Sequence, residues 1–390
     1  RRGTSIQTSV LPCPWKEHKI NVLDTPGYAD YRGEATSGLR VADGAVIVVS
    51  APSGIEVGTL QMWQMAEERR LPRIVFVSKL DRENADFQRV LDSLTERFGR
   101  RCVALQVPIG AEAGFSGTVG LLDQSAEVPS ELQEQVEAAR ERLTEAIAET
   151  DDELATRYLE GESLSTEEMT RALKQGVASG AIVPVMAGAA ASGIGAAELM
   201  DALVDLMPSP VESAPAAATD GSDQAEVSLS CDDSGPLAAL VFKTSADPFV
   251  GKLSYFRVYS GKFAGDSQLW NGGKGESERV GQVFVVRGKT QEPVDELAPG
   301  DIGAVAKLST VCTGDTLSRK DNPLVLHGLE FPRPVYQMAV FPKSKADLDK
   351  ITSALARIAE EDPSLSITRE PNTLEMLLGG LGDAHIGVTV

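Results

Sequence analysis

Apolar positions in the first two hundred residues follow two alternating periods. Short runs at 45–50, 73–78, 102–107 and 182–187 are almost continuously apolar, the pattern of strands covered on both faces. Between them, apolar residues recur at three- and four-residue spacing over 33–42, 57–69, 86–98 and 196–206, which predicts helices. This strand–helix alternation implies a parallel sheet with crossover helices. Residues 6–11 and 19–23 read as two further strands, an antiparallel pair at the sheet edge. The second stops abruptly at Asp24-Thr25-Pro26-Gly27-Tyr28, as a buried parallel strand does when it delivers its last residue to the carboxyl edge. From 131 to 178 the period is helical, with Leu132, Val136, Ala139, Leu143 and Ile147 along one face.

The pattern then changes twice. Residues 208–236 open with Pro208-Ser209-Pro210, are rich in Ala, Ser and Asp, and show no period, so they read as a linker that is at least partly mobile. Beyond them, β-rich runs at 240–244, 251–258, 280–287 and 302–308 alternate with glycine turns and predict a small β-barrel. A third unit follows Pro334. It has strands at 335–341, 365–368 and 374–378, and a helix capped by Ser344 with Asp347 three residues on, carrying Leu348, Ile351, Leu355 and Ile358 on one face. A helical pattern restarts before Val390, giving a split β-α-β unit expected to be cut before its last strand. The expected organisation is an α/β domain at 1–207 with a helical insert near 108–180, a linker at 208–236, a barrel at 237–328, and an incomplete α+β domain at 329–390.

Composition narrows the classes. A chain of 390 residues exceeds one core and suggests two or three domains. The net charge of -20 disfavours non-specific nucleic-acid binding, and no basic footprint argues for sequence-specific DNA. Residues 124–170 hold 14 acids against three arginines, either a solvated helix face or a docking face for a basic protein. Cys13, Cys102, Cys231 and Cys312 lie far apart, as expected for reduced thiols in a cytoplasmic protein. His18, His327 and His385 have no metal-ligand spacing. No apolar run approaches a membrane span, and Arg1-Arg2-Gly3-Thr4 is no signal peptide. A monomer is expected.

Three short stretches carry chemistry, each directly after a strand. Asp24 can hold Mg²⁺ through water, and the Gly27 amide can approach a phosphate because no side chain blocks it. Ser78-Lys79-Leu80-Asp81 begins 54 residues after Asp24. A carboxylate fixed there accepts both edge protons of guanine, donors that adenine lacks, while the Lys79 stem packs along the base. Gly188-Ala189-Ala190 follows the last strand, where a backbone amide can meet the base carbonyl.

In this order the three stretches resemble a guanine-nucleotide domain. Arg2-Gly3-Thr4-Ser5-Ile6, Asp24-Thr25-Pro26-Gly27-Tyr28 and Ser78-Lys79-Leu80-Asp81 resemble translational GTPases. Further runs narrow the resemblance to elongation factor G and its paralogues: Asp247 to Leu253, Phe256 to Gly261 and Thr313 to Leu317 in the barrel, then Ala359 to Leu365 and Gly380 to His385 beyond it. The resemblance implies an α/β GTPase domain of the P-loop type, GTP/GDP and Mg²⁺ as cofactors, and the ribosome as partner. Stalk proteins of the large subunit would meet the acidic insert, a helix pair in this reading, shorter than usual and without its hairpin after Asp123. It further implies that Ser5 and Asp24 serve the metal and that Asp24, Thr25, Pro26, Gly27, Ser78, Lys79, Asp81, Gly188, Ala189 and Ala190 bind nucleotide. Gly27 would sense the γ-phosphate, and Tyr28 would stand where the family places the histidine that orients the attacking water. Ribosome-dependent hydrolysis driving translocation or recycling is the implied function; a tetracycline ribosomal-protection GTPase or a non-catalytic ribosome-binding paralogue are the alternatives.

Departures from the family pattern are specific. Ser78 replaces the asparagine of the base motif, Ala189-Ala190 replace Ser-Ala, and Tyr28 resembles elongation-factor-G-like paralogues rather than the housekeeping factor. No Gly-x4-Gly-Lys-[Ser/Thr] loop occurs in the 390 residues, and Gly288-Lys289-Thr290 sits in a β-run, not between strand and helix. The expectation is that this loop lies upstream and that further domains lie downstream.

Overall fold

The structure, a computed structural model, describes residues 3–247, 251–342, 344 and 347–390. Arg2 of the first motif, Pro248-Phe249-Val250 of the barrel motif and the side chains of Asp247 and Leu348 lie outside the described residues. The chain forms two compact units: Asp43–Ser209, and Arg1–Ala42 together with Pro210–Val390.

The N-terminal segment forms β1 (Ser9–Trp15) and β2 (His18–Asp24), a 3-10 turn at Ala29–Tyr31, and α1 (Arg32–Arg40). The expectation of a buried parallel strand ahead of Asp24 is not met. β2 pairs antiparallel with β1 from Ser9↔Asp24 to Trp15↔His18, and the two strands form a sheet of their own. Its apolar run has another use: Leu23, with Val10, packs against a cluster containing Ala218, Leu240 and Phe242. Polar contacts fix the same register, since Lys19 and Asn21 both donate to Asp301, at 2.8 and 3.0 Å. Such partners, nearly three hundred residues away, leave no trace in local periodicity.

Asp43–Ser209 is the α/β unit: β3 (Ala45–Ser50), α2 (Val57–Glu68), β4 (Arg73–Ser78), α3 (Phe87–Phe98), β5 (Cys102–Ala104), β6 (Gln106–Ile109), β7 (Gly117–Gly120), α4 (Gln133–Ala148), α5 (Asp152–Leu159), α6 (Thr166–Ser179), β8 (Val183–Ala187) and α7 (Ala196–Leu206). Strands β3, β4, β8 and β5 form a parallel sheet in that order. Every residue of β4 and β8 is buried, which is why these runs read so clearly. The expected strand at 102–107 is split. Leu105 donates to Val185 and accepts from Leu121, and past it the chain pairs antiparallel with β7. The insert holds three helices, not a pair. Val136, Leu143 and Ile147 of α4 join the core, while Arg157 of α5 binds Glu168 of α6 at 2.6 Å and holds that carboxyl down to about 2. Ser165 and Glu168 form a reciprocal cap that starts α6. Cys102 lies in the core, and burial pushes its thiol up to about 12, so it is a packing residue.

The remainder of the other unit begins within the stretch read as a linker. It carries β9 (Ala216–Asp220) and β10 (Glu226–Leu229), paired with each other and, through β9, with a strand near 325. Ala218 and Leu229 are buried there, so a partner strand a hundred residues away orders a segment whose own sequence is featureless. Next come β11 (Ala238–Asp247), β12 (Gly251–Ser260), β13 (Phe263–Ala264), β14 (Ser267–Asn271), β15 (Glu276–Val280), β16 (Val283–Arg287), β17 (Thr290–Val294), β18 (Glu296–Leu297), β19 (Ile302–Ala306), β20 (Thr316–Ser318) and β21 (Leu324–Leu326). Eight of them form one antiparallel sheet in the order β15-β14-β20-β11-β12-β19-β16-β17. Val280 of β15 and Val283 of β16 share one apolar cluster with Phe256, Phe263 and Leu317, so the sheet curls onto itself as a barrel. Gly288-Lys289 is the tip of the β16–β17 hairpin, not a phosphate loop.

Last come β22 (Tyr336–Val340), α8 (Leu348–Glu361), β23 (Ser366–Arg369), β24 (Met376–Gly380) and α9 (Asp383–Thr389). The sheet order is β22-β24-β23 with both pairings antiparallel, so β22 and β23 run parallel with β24 between them, the split β-α-β arrangement. Asp347, rather than Ser344, stands at the N-cap of α8, and the Ser344 hydroxyl bonds its carboxylate at 2.6 Å.

Candidate functional site

In the α/β unit, Ser50, Ser78 and Ala187 end three parallel strands at one edge of the sheet, with Ser50 in register with Ser78 and Val77 with Ala187. The loops that follow are locked together there. Ala51 donates to the Ser78 carbonyl at 2.8 Å, and Leu80 donates to the Gly188 carbonyl at 3.3 Å. Lys79 takes a left-handed conformation (φ 62) that turns its own side chain to solvent and drops Leu80 into the core at 2% exposure. Asp81 is thereby left at the edge. Its one ionic neighbour among the described residues, the Arg82 guanidinium, is distant (3.9 Å) and largely exposed, so the carboxylate keeps its acceptors for a ligand.

Gly188 is required by packing, because a Cβ there would stand 2.4 Å from Phe76 Cζ and 2.6 Å from the Ile194 carbonyl oxygen. Its amide donates to Val77, and the Ala189 amide to Ile194 at 2.9 Å. Of the three residues singled out after β8, Ala190 is exposed and its amide has no partner among the described residues, so this amide alone of the three is free to donate outward. Two residues that brace these loops carry no sequence signal. Arg89 of α3 donates to the carbonyls of Ala51, Pro52 and Asn84 at 3.0–3.1 Å, and Glu112 accepts from the Asn84 amide at 2.7 Å. Arg89 lies three residues past the Asp86 helix cap, but nothing in that spacing says which carbonyls it reaches.

The other unit holds the remaining residues. Ser5 and Asp24 are both exposed, and the Ser5 hydroxyl lies 3.4 Å from the Asp24 carboxylate. Thr25 packs its methyl over α1, where a Cβ on Gly38 would come within 2.8 Å of it, and Pro26 is buried. Gly27 is neither left-handed nor crowded, since a Cβ there would meet nothing within 4 Å. Neither backbone nor packing asks for glycine, and the open space suits a group that must approach the amide. Tyr28 is 60% exposed and starts the 3-10 turn without a side-chain bond.

The turn after Tyr28 is anchored. Asp30 accepts from the Ala384 amide at 3.1 Å, and the Tyr31 hydroxyl donates to the Ala384 carbonyl at 3.3 Å. Beneath them His385, 3% exposed, meets Tyr31 edge-on at 5.8 Å. The Leu381 amide donates to His385 Nδ1 at 3.1 Å, so the ring proton is on Nε2 and donates to Asp362 at 2.8 Å. Burial raises the Asp362 carboxyl, but hydrogen bonds from His385 and Ser364 outweigh it and hold the group below the usual carboxylate range.

A hydroxyl and one carboxylate are a hard oxygen set of the kind that binds Mg²⁺ together with nucleotide phosphates and water. Among the described residues no group of three or more His, Cys, Asp or Glu could hold a metal ion by itself.

Three family models match the chain: the elongation factor Tu GTP binding domain over residues 1–209, elongation factor G domain 2 over 236–320, and elongation factor G domain III over 331–390. A crystal structure of a protein from Thermus thermophilus matches with a TM-score of 0.84 at 30% identity, covering 99% of this chain and 57% of that one. The chain therefore spans just over half the length of that protein.

Proposed function

Because the chain belongs to the elongation factor G family of translational GTPases, we propose that it binds GTP with Mg²⁺ and that the protein hydrolyses GTP on the ribosome to drive translocation or ribosome recycling. Asp81 selects guanine by accepting its two edge protons, the Lys79 stem covers the base, and the Ala190 amide meets the base carbonyl. Asp24, through water, and Ser5, through its hydroxyl, hold the metal, which when bound neutralises phosphate charge. Gly27 offers its amide to the γ-phosphate in the space its missing side chain leaves. Tyr28 orients the attacking water through its hydroxyl. Transfer of this kind relies on positioning and charge stabilisation, and these residues supply the positioning.

The observation that carries the reading is the convergence of the Ser78–Asp81 and Gly188–Ala190 loops on one strand edge, with Asp81 uncommitted. In the full-length protein, Asp81→Asn should weaken GTP and favour xanthosine triphosphate, because the amide donates where xanthine now accepts. Equal GTP affinity in both forms refutes the role of Asp81.

Exposed Glu134, Glu141 and Glu145 on α4, opposite its buried face, with exposed Glu131 in the 3-10 turn just before it, form the side offered to basic stalk proteins of the large subunit. A cytoplasmic monomer fits this role. The substitutions at Ser78, Ala189 and Tyr28 favour a second reading, a ribosome-binding paralogue that no longer turns over GTP. The exposed Tyr28 hydroxyl weighs against it. A tetracycline ribosomal-protection GTPase would use the same nucleotide residues.

A further inference from the structure

The end of the α/β sheet opposite the guanine loops gathers arginines. Strands β4 and β5 begin there and helices α2 and α3 finish there, placing Arg69, Arg70 and Arg73 beside Arg97, Arg100 and Arg101. The two groups are joined in space by Trp63, whose ring has the Arg73 guanidinium at 4.9 Å, the Arg101 guanidinium at 5.3 Å and Phe98 stacked at 3.8 Å. Cations at helix C-termini have an internal use, because they meet the exposed carbonyl ends. Arg101 meets that need, donating to the Phe98 carbonyl at the end of α3 and to Glu67 at 2.6 Å, and Arg73 is engaged as well, donating to the Trp63 carbonyl inside α2.

Arg70, Arg97 and Arg100 are left over. All three are exposed, and their guanidinium groups have no partner among the described residues. Glu67, Glu68 and Glu96 are the acids nearby in sequence, and Glu67 is already engaged by Arg101. Arg70 in addition occupies the left-handed position past α2 (φ 53), which glycine takes freely and an arginine takes at a cost. The patch contains no exposed large apolar residue, so it lacks the desolvated centre of a protein interface. It also contains no lysine, and arginine forks match phosphate oxygens best. The overall charge of -20 does not cancel it, because fields are screened within about 8 Å at physiological salt.

We propose that this end of the sheet binds the phosphate backbone of RNA, through Arg70, Arg97 and Arg100, without reading bases. Trp63 is 2% exposed and offers no stacking face, so contact is to phosphates alone. The site is separate from the nucleotide loops and goes beyond the role proposed for them.

The test is fluorescence anisotropy of a labelled 20-nucleotide uridine RNA against the 390-residue chain across a salt series. Arg97→Gln/Arg100→Gln should weaken binding at 50 mM salt. With about 0.7 of salt slope lost per phosphate contact, the gap to wild type should shrink by about sevenfold on reaching 200 mM. Lys289→Gln/Lys350→Gln, equal in charge and exposed elsewhere, should bind as wild type. Arg70→Gly should weaken RNA binding while raising the melting temperature, an opposition that a purely structural arginine would not produce. Equal weakening in the lysine control, unchanged binding in the arginine variants, or full competition by a 20-residue polyglutamate peptide would each overturn the proposal.

Discussion

Replacing His385 by alanine should loosen the anchorage of the turn that carries Tyr28. The imidazole is 3% exposed and spends both nitrogens, accepting from Leu381 at 3.1 Å and donating to Asp362 at 2.8 Å. Loss of a hydrogen bond to a charged acceptor costs roughly 1.5–3 kcal/mol, and a buried amide left without an acceptor costs roughly 1–3 kcal/mol more. The expected loss is therefore about 2.5–6 kcal/mol, localised to α9 and the Tyr31 contact above it. Hydrogen exchange reads this directly: each 1.4 kcal/mol is about tenfold, so amides of 29–40 and 381–390 should exchange at least about fiftyfold faster. The sign with pH follows from Asp362. Its carboxyl is depressed in the folded state, so its stabilisation is fully present above the unfolded carboxylate value near 3.9 and is lost as pH falls through the lower folded value. His385→Ala should reduce that acid-side loss. A change of less than about 1 kcal/mol, or exchange that rises uniformly along the chain, would mean that His385 does not anchor this turn.

Two further outcomes are expected. Residues 1–390 alone should bind a fluorescent GDP analogue weakly, because they contain no phosphate-loop lysine and each charge-assisted bond is worth roughly 1.5–3 kcal/mol; submicromolar affinity would contradict this. Charge reversal at Glu131, Glu134, Glu141 and Glu145 should slow stalk-dependent GTP turnover in a salt-sensitive way, and unchanged turnover on stalk-bearing ribosomes would reduce the acidic face to a solvated surface.

The sequence was most legible where burial is two-sided. The run at 73–78 is β4 residue for residue, because a parallel strand buried along its whole length has nowhere to hide its period; the run at 45–50 is β3, but it lies at the sheet edge and leaves Val48 63% exposed. It was least legible where a distant partner decides. The Ala216–Asp220 and Glu226–Leu229 strands depend on Leu324–Leu326, and the β2 run depends on Asp301 and the cluster around Phe242. The same division holds at the candidate site. Asp81 and Gly188 follow strands that the pattern locates, so their placement at one edge was readable. Arg89, Glu112 and the His385–Asp362 pair act through geometry that spacing does not encode.

Single-turnover GTP hydrolysis on ribosomes, with the full-length protein as wild type, Tyr28→His and Tyr28→Ala, decides whether Tyr28 orients the attacking water. A histidine at this position brings an imidazole that can change charge near neutral pH, whereas the tyrosine hydroxyl contributes only by orienting water. Ribosomes should therefore stimulate the wild-type rate, Tyr28→His should raise it further, and Tyr28→Ala should lower it. A wild-type rate that ribosomes do not stimulate, or a Tyr28→Ala rate equal to wild type, would contradict the account.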